Sequence, residues 1–137
     1  MPKFGQSSQD KIGTLDARWW PILSDAIELL DFKVICGHRD IQKQTEAFES
    51  GASTKQWPNS KHNQDPSLAV DLAPYHKTKP HIRWEHKKEF ILLAGVIMAF
   101  AYDHDESVRW GGDWDQDWDQ YDQTFMDIGH FELGERT

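Results

Sequence analysis

The sequence predicts an α+β fold. Two long segments repeat their apolar residues at spacings of three and four, the mark of helices with a buried face. Several short segments alternate apolar and polar residues or are β-branched, the mark of strands. The two kinds do not follow each other in the regular β-α-β succession of a doubly wound sheet. With 137 residues the chain can build one core, so 1–137 is read as a single domain behind an irregular lead over residues 1–14.

The elements follow in order. Leu15 to Leu30 reads as a helix through Leu15, Trp19, Ile22, Leu23, Ala26, Ile27 and Leu30. Pro21 is tolerated only in a first turn, which moves the expected start to near Trp20. "KVIC" is a short strand closed by Gly37. Asp40 can cap a second helix running to about Ser50, with Gly51 as its stop. Residues 52–67 are polar, hold two prolines and read as a loop. "LAVDLA" alternates as a strand. Residues 74–81 form a turn-rich connection. Glu85 to Tyr102 is a long helix, apolar almost all round after Phe90 and therefore expected to be central. "VRWGG" gives a short strand and turn, residues 113–127 are acidic and aromatic, and "HFEL" is a last strand.

Composition excludes several classes. Seven tryptophans are a large apolar mass that needs a core, which argues against disorder. A formal net charge of -8 disfavours a nonspecific nucleic-acid binder, which needs a positive footprint. Cys36 is the only cysteine, so there is no internal disulfide, and within "FKVICG" it reads as a small buried hydrophobe. The stretch "MPKFGQSSQDK" has no apolar leader, so no secretory signal is expected, and "FILLAGVIMAFAY" is too short to cross a bilayer.

Three segments can carry chemistry. In "SKHNQDPSLAVDLAPY", His62 lies on the loop and Asp71 on the strand, nine positions apart. The alternation puts Ala69, Asp71 and Ala73 on one face, so Asp71 points away from the apolar set and has small neighbours. Imidazole nitrogen and carboxylate oxygen are both zinc donors. An exposed loop histidine beside a solvent-side carboxylate fits the same spacing. In "MDIGHFEL", a strand entered at Gly129 turns His130 and Glu132 one way and Phe131 and Leu133 the other. Gly129 permits a close backbone approach. Asp127 stands three residues before His130, where a carboxylate can shuttle a proton. A polar strand face is the plainer reading. In "GHRDIQKQTEAFESG", Arg39 sits at the mouth of a helix, where its guanidinium can grip a carboxylate or pair with Asp40 or Glu46. Gln44 follows within the helix and can reach across the same cleft.

Together these segments resemble the zinc peptidases that include VanY-type D,D-carboxypeptidases and the L-alanyl-D-glutamate endopeptidases of phage endolysins. Ser60 and His62 match the family's Ser-x-His, and Ala69 and Asp71 match its Ala-x-Asp. Asp127 and His130 match the closing acidic-x-x-His, and Arg39 and Gln44 match the upstream Arg-x4-Gln. "RWGGDW" and "VDLAPY" are closer to the endopeptidases. The resemblance spans residues 10–134. Two departures stand out: the gap from His62 to Asp71 is two residues longer than the family's usual one, and Asp127 stands where many relatives carry glutamate.

The resemblance implies a small antiparallel sheet with helices packed against it, as in the D,D-carboxypeptidase and hedgehog-like fold. It implies Zn2+ held by His62, Asp71 and His130, with Asp127 as general base and Arg39 on a substrate carboxylate or oxyanion. Gln44, Ser60, His81, Asp113 and Trp114 would bind substrate or support the site, with Asp113 behind a ligand histidine and Trp114 as a cleft wall. Trp110 would serve as a wall or a structural residue. The substrate would be bacterial peptidoglycan, cut at the L-alanyl-D-glutamate bond by a monomeric phage lysis enzyme that waits in the host cytoplasm and reaches the wall on release. A D,D-carboxypeptidase and a noncatalytic wall-binding module are the alternatives. The run "DWDQDWDQYD" offers alternating carboxylates of the sort calcium takes, but it lacks the glycine and closing glutamate of a helix-loop-helix calcium loop, and reads as a hydrated face.

Overall fold

The "LAVDLA" alternation becomes an inner strand of a four-stranded antiparallel sheet in a computed structural model that describes residues 3–113 and 127–134. Among these residues the order is α1 (Gln6–Ile12), α2 (Trp19–Leu29), β1 (Phe32–Cys36), α3 (Ile41–Glu49), a 3-10 turn (Lys61–Asn63), β2 (Ala69–Pro74), α4 (Lys87–Asp103), β3 (Val108–Gly111) and β4 (Asp127–Leu133). The sheet order is β1-β2-β4-β3. The α+β expectation holds, with the antiparallel sheet and its helices as the resemblance implied.

Strand parity divides the sheet. Val70 and Leu72 of β2, with Phe131 and Leu133 of β4, face a core shared with Ile22, Leu23 and Ala26 of α2 and Leu93, Ala94 and Ile97 of α4. Asp71, His130 and Glu132 face the other way, as the alternation requires. In the register Asp71 pairs with Cys36 on one side and His130 on the other. A shift between Val34 and Cys36 sets the first of these pairs: one extra residue in β1, a bulge, brings Cys36 rather than Ile35 opposite Asp71.

Three expectations need correction. The lead is not irregular throughout, because Gln6–Ile12 form α1, docked on β1 with Ser8 Oγ accepting the Val34 amide at 3.1 Å. The loop 52–67 includes the 3-10 turn that carries His62. The helix α4 is not surrounded by protein. Phe90, Leu93, Ala94, Ile97 and Ala101 are buried, while Leu92 is 61% and Tyr102 86% exposed. The other elements form close to where they are expected: Asp40 caps α3 through the Lys43 amide, and Pro21 sits in the first turn of α2.

Candidate active site

Three short backbone pieces bring the chemistry together. β2 holds Asp71 at the middle of the sheet's polar face, and β4 places His130 beside it as its direct partner. Gly129 makes this approach possible, since a Cβ there would meet the Leu72 carbonyl at 2.7 Å. His62 arrives on the 3-10 turn. Ser60 caps that turn, its Oγ accepting the His62 amide at 3.2 Å, and the Arg39 amide donates to the His62 carbonyl at 2.8 Å. The chain between this turn and the strand is pinned at Ser67. The Ser67 amide donates to the Thr14 carbonyl and its carbonyl accepts from the Asp16 amide, both at 2.9 Å. The strand then starts at Ala69, two residues before Asp71.

Both imidazoles converge on one oxygen. His62 Nε2 lies 3.2 Å and His130 Nδ1 3.0 Å from Asp71 Oδ1. Their other nitrogens are committed. His62 Nδ1–H donates to the Gly37 carbonyl at 2.7 Å, and His130 Nε2 lies 2.9 Å from Glu132 Oε1. Asp71 Oδ2 accepts from the Arg39 guanidinium at 3.2 Å. That guanidinium also donates to Gln44 Oε1 at 3.3 Å.

The electrostatics follow from this packing. Burial disfavours charge on His62, but the hydrogen bonds and charges of Asp71 and Cys36 together outweigh it, and its pKa is pushed up to about 10. His130 is likewise raised: burial opposes the charge, and the bonds to Asp71 and Glu132 overcome it. Burial would raise Asp71, yet the two histidines hold it well below the usual carboxylate range. Glu132, buried beneath His130 and Arg109, is held at about 2 by those two partners against its desolvation. Asp127 goes the other way, raised by burial and by the neighbouring Asp71 carboxylate. The corner therefore favours bound cations, protons or metal alike. Asp71, Asp127 and His130 offer donor atoms within 4.8 Å of one another, as do Cys36, His62 and Asp71, so it can hold a metal ion.

A cavity of about 320 Å³ opens over this corner, lined among others by Arg39, Ser60, His62, Asp127 and His130. These are the residues the sequence singled out that the structure brings together. Gln44 is fully buried behind Arg39, where its amide nitrogen donates to Ser53 Oγ and the Lys55 carbonyl, so it fixes the guanidinium instead of facing a cleft. His81 is not among the cavity's lining residues: it stacks on Tyr75 at 5.1 Å and bonds the His76 carbonyl. Asp113 is buried at the turn after β3, its amide on the Trp110 carbonyl. The Trp110 indole donates to the Ile128 carbonyl at 2.9 Å, a tie between β3 and β4. Trp114 and the rest of the acidic run to Asp122 lie outside the described residues.

Two neighbours were missed. Cys36, read as a small hydrophobe, is only partly buried, with its sulfur 3.9 Å from His62 Nδ1. Burial would raise its thiol pKa, but the contact with His62 lowers it. Only the β1 bulge brings it there, and nothing in "KVIC" announces a bulge. Glu132 could have been found, because its parity with His130 was already legible.

The chain matches, over residues 1–134, the family model described as phage L-alanyl-D-glutamate peptidase. No curated protein sequence matches it. Among solved structures it is similar to the crystal structure of Serratia marcescens L-Ala D-Glu endopeptidase ChiX, with a TM-score of 0.74 and 22% identity over 96% of this chain and 89% of that one. That likeness carries the fold. With its match over residues 1–134 and its site of imidazoles and carboxylates, the chain belongs to the phage L-alanyl-D-glutamate peptidase family, endopeptidases of bacterial peptidoglycan.

Proposed function

We propose that the chain is a zinc peptidase in which His62, Asp71 and His130 hold the metal and Asp127 moves the proton. One observation carries this reading: His62 Nε2 and His130 Nδ1 converge on Asp71 Oδ1 while each ring's other nitrogen is tied to a different acceptor. The donor types fit zinc: two imidazole nitrogens and a carboxylate oxygen. Ligands at about 2.0–2.1 Å in a tetrahedron stand roughly 3.3 Å apart, and the two His–Asp separations are 3.2 and 3.0 Å. Cys36 fits this set less well, since it lies beside the Nδ1 that His62 commits to Gly37. Bound zinc would supply Lewis-acid polarisation of the scissile carbonyl and a more acidic water.

The chain's own residues do the rest. Asp127, raised in pKa beside Asp71, takes a proton from the attacking water. It returns that proton to the amine of D-glutamate as the C–N bond breaks, leaving L-alanine on the glycan side. Arg39 holds Asp71 in place and faces the cavity, where its charge can stabilise a developing oxyanion. Gln44 and Asn63 hold Arg39 from behind, the side-chain amide of Asn63 reaching both the Arg39 carbonyl and Gln44 Oε1. As a phage peptidase the chain would await release in the host cytoplasm and then act on the wall.

Digestion of purified peptidoglycan, read by mass spectrometry, tests the reading. Muropeptides lacking both terminal D-alanines should be cut into an L-alanine-ended glycan and a peptide beginning with D-glutamate, and chelation should stop the reaction. Release of free D-alanine alone would make the chain a D,D-carboxypeptidase. Elemental analysis should find about one zinc per chain, the stoichiometry of a single three-ligand site, and His130→Ala should lose most of it.

A further inference from the structure

One side of the cavity is not used by this mechanism. Lys61 and Arg109 both line it, and both reach the same buried oxygen: Glu132 Oε2 lies 3.4 Å from Lys61 Nζ and 2.8 Å from the Arg109 guanidinium. The glutamate is nearly sealed, its side chain 4% exposed, while the two cations above it are 32% and 38% exposed. Lys61 is further fixed by its bond to the Leu133 carbonyl at 2.6 Å. Two cations are thus anchored on one carboxylate, and both line the cavity that also holds His62 and His130. The contrast with the whole chain is sharp. The formal charge is -8, yet the described lining has Arg39, Lys55, Lys61 and Arg109 against Asp127 and Glu132.

We propose that Lys61 and Arg109 form a carboxylate-reading subsite that makes the enzyme prefer stem peptides with a free carboxylate over amidated ones. The proposal rests on the peptidase reading above and adds the feature of the substrate that is recognised. The substrate offers two carboxylates near the scissile bond. One is the α-carboxylate of D-glutamate, whose chain continues through its side chain. The other is the side-chain carboxylate of the residue that follows, where that residue is a diaminodicarboxylic acid. Either suits a fixed pair of cations, because charge-assisted hydrogen bonds are the strong ones and a neutral amide cannot supply one. Anchoring on Glu132 means that little side-chain freedom is lost when the ligand arrives.

Synthetic peptides with D-glutamate α-amidated, with the diamino acid amidated, or with neither modification separate the two carboxylates. kcat/KM should fall at least 10-fold on amidating one of them, and the modification responsible identifies which is read. In Lys61→Met/Arg109→Gln, which also strips Glu132 of two partners, the readout is the ratio within the variant: at saturating zinc the acid and amide forms should be cut at equal rates. Calorimetric binding of the product peptide beginning with D-glutamate gives the same comparison without turnover: the acid form should bind the wild type more tightly than the amide, and the double variant should bind both equally. A wild type indifferent to both amidations, or a double variant that keeps the full preference, overturns the proposal. Absence of cleavage between L-alanine and D-glutamate in every peptide would count against the peptidase reading, and the binding comparison would still decide the subsite.

Discussion

The two faces of the β2–β4 pair are made by alternate residues of the same two short strands and could hardly differ more. Val70, Leu72, Phe131 and Leu133 point one way and are fully buried hydrocarbon. Asp71, His130 and Glu132 point the other way and are imidazole and carboxylate, also largely out of water. The first face is stabilised by removing apolar area from water, which tolerates changes of shape better than changes of polarity. The second is tolerable only because each group has a partner: Asp71 has two histidines and Arg39, and Glu132 has His130, Lys61 and Arg109. One strand register therefore supplies stability on one side and chemistry on the other, and substitutions on the two sides should separate these properties.

The largest effect is expected just beyond the polar face. Asp127→Asn should lower turnover on peptidoglycan by roughly 10²–10⁴-fold, the usual range for a lost general acid–base. Zinc content and melting temperature should stay near wild type, because none of the three proposed ligands is altered. Near-normal turnover would remove Asp127 from the chemistry. On the apolar face, Leu72→Ala should cost about 2–5 kcal/mol of stability in denaturant unfolding, as a buried leucine usually does, while the folded fraction keeps its zinc. Loss of zinc from that fraction would mean that the faces are not separable.

Glu132→Gln asks how far the polar face depends on a residue that would reach the proposed metal only through His130. A glutamine can still meet the His130 nitrogen but lacks the charge that draws Lys61 and Arg109. Zinc affinity, measured against a competing chelator, should weaken about 10–100-fold; unchanged affinity would make Glu132 a mere filler. The smallest effect lies away from both faces. Glu89, in the first turn of α4, bonds His76 at 2.8 Å, and this partner lowers its pKa in the folded chain. A lowered carboxylate pKa contributes stability above the unfolded value of about 4.3, lost as the pH falls below it. The side chain is partly exposed, at 33%, so the contribution should be small. Melting curves of Glu89→Gln and wild type should differ slightly at neutral pH and converge in acid.

Both faces were legible in the sequence because strand parity is a local property. The alternation of residues 68–73 placed Asp71 apart from Val70 and Leu72, and "GHFEL" set His130 and Glu132 against Phe131 and Leu133. The features that were not legible depend on tertiary contact. The helix α1 has the polar sequence QSSQDKI and no apolar stripe; it is pinned to β1 through Ser8. The outer side of α4 carries Ile91, Leu92 and Tyr102, which hides its buried stripe from any pattern based on composition. Gln44 needed the turn at Lys61–Asn63 before its place behind Arg39 could be seen. The displacement of His81 onto Tyr75 is set by the fold of residues 75–81, which no periodic signal describes.

The extra length between His62 and Asp71 changes what a spacing pattern means in this family. Chain leaving the His62 turn is clamped again at Ser67, against the carbonyl of Thr14 and the amide of Asp16. Between those two fixed points the backbone behaves as a splice. Closing a longer segment costs only slowly more entropy, so residues added there need not disturb either end. Sequences with still longer inserts can therefore preserve the same geometry, and a search that requires a fixed interval will pass over them. The more useful query is for the two anchors: a capped Ser-x-His turn, and a serine that docks on the preceding interhelical linker just before the strand.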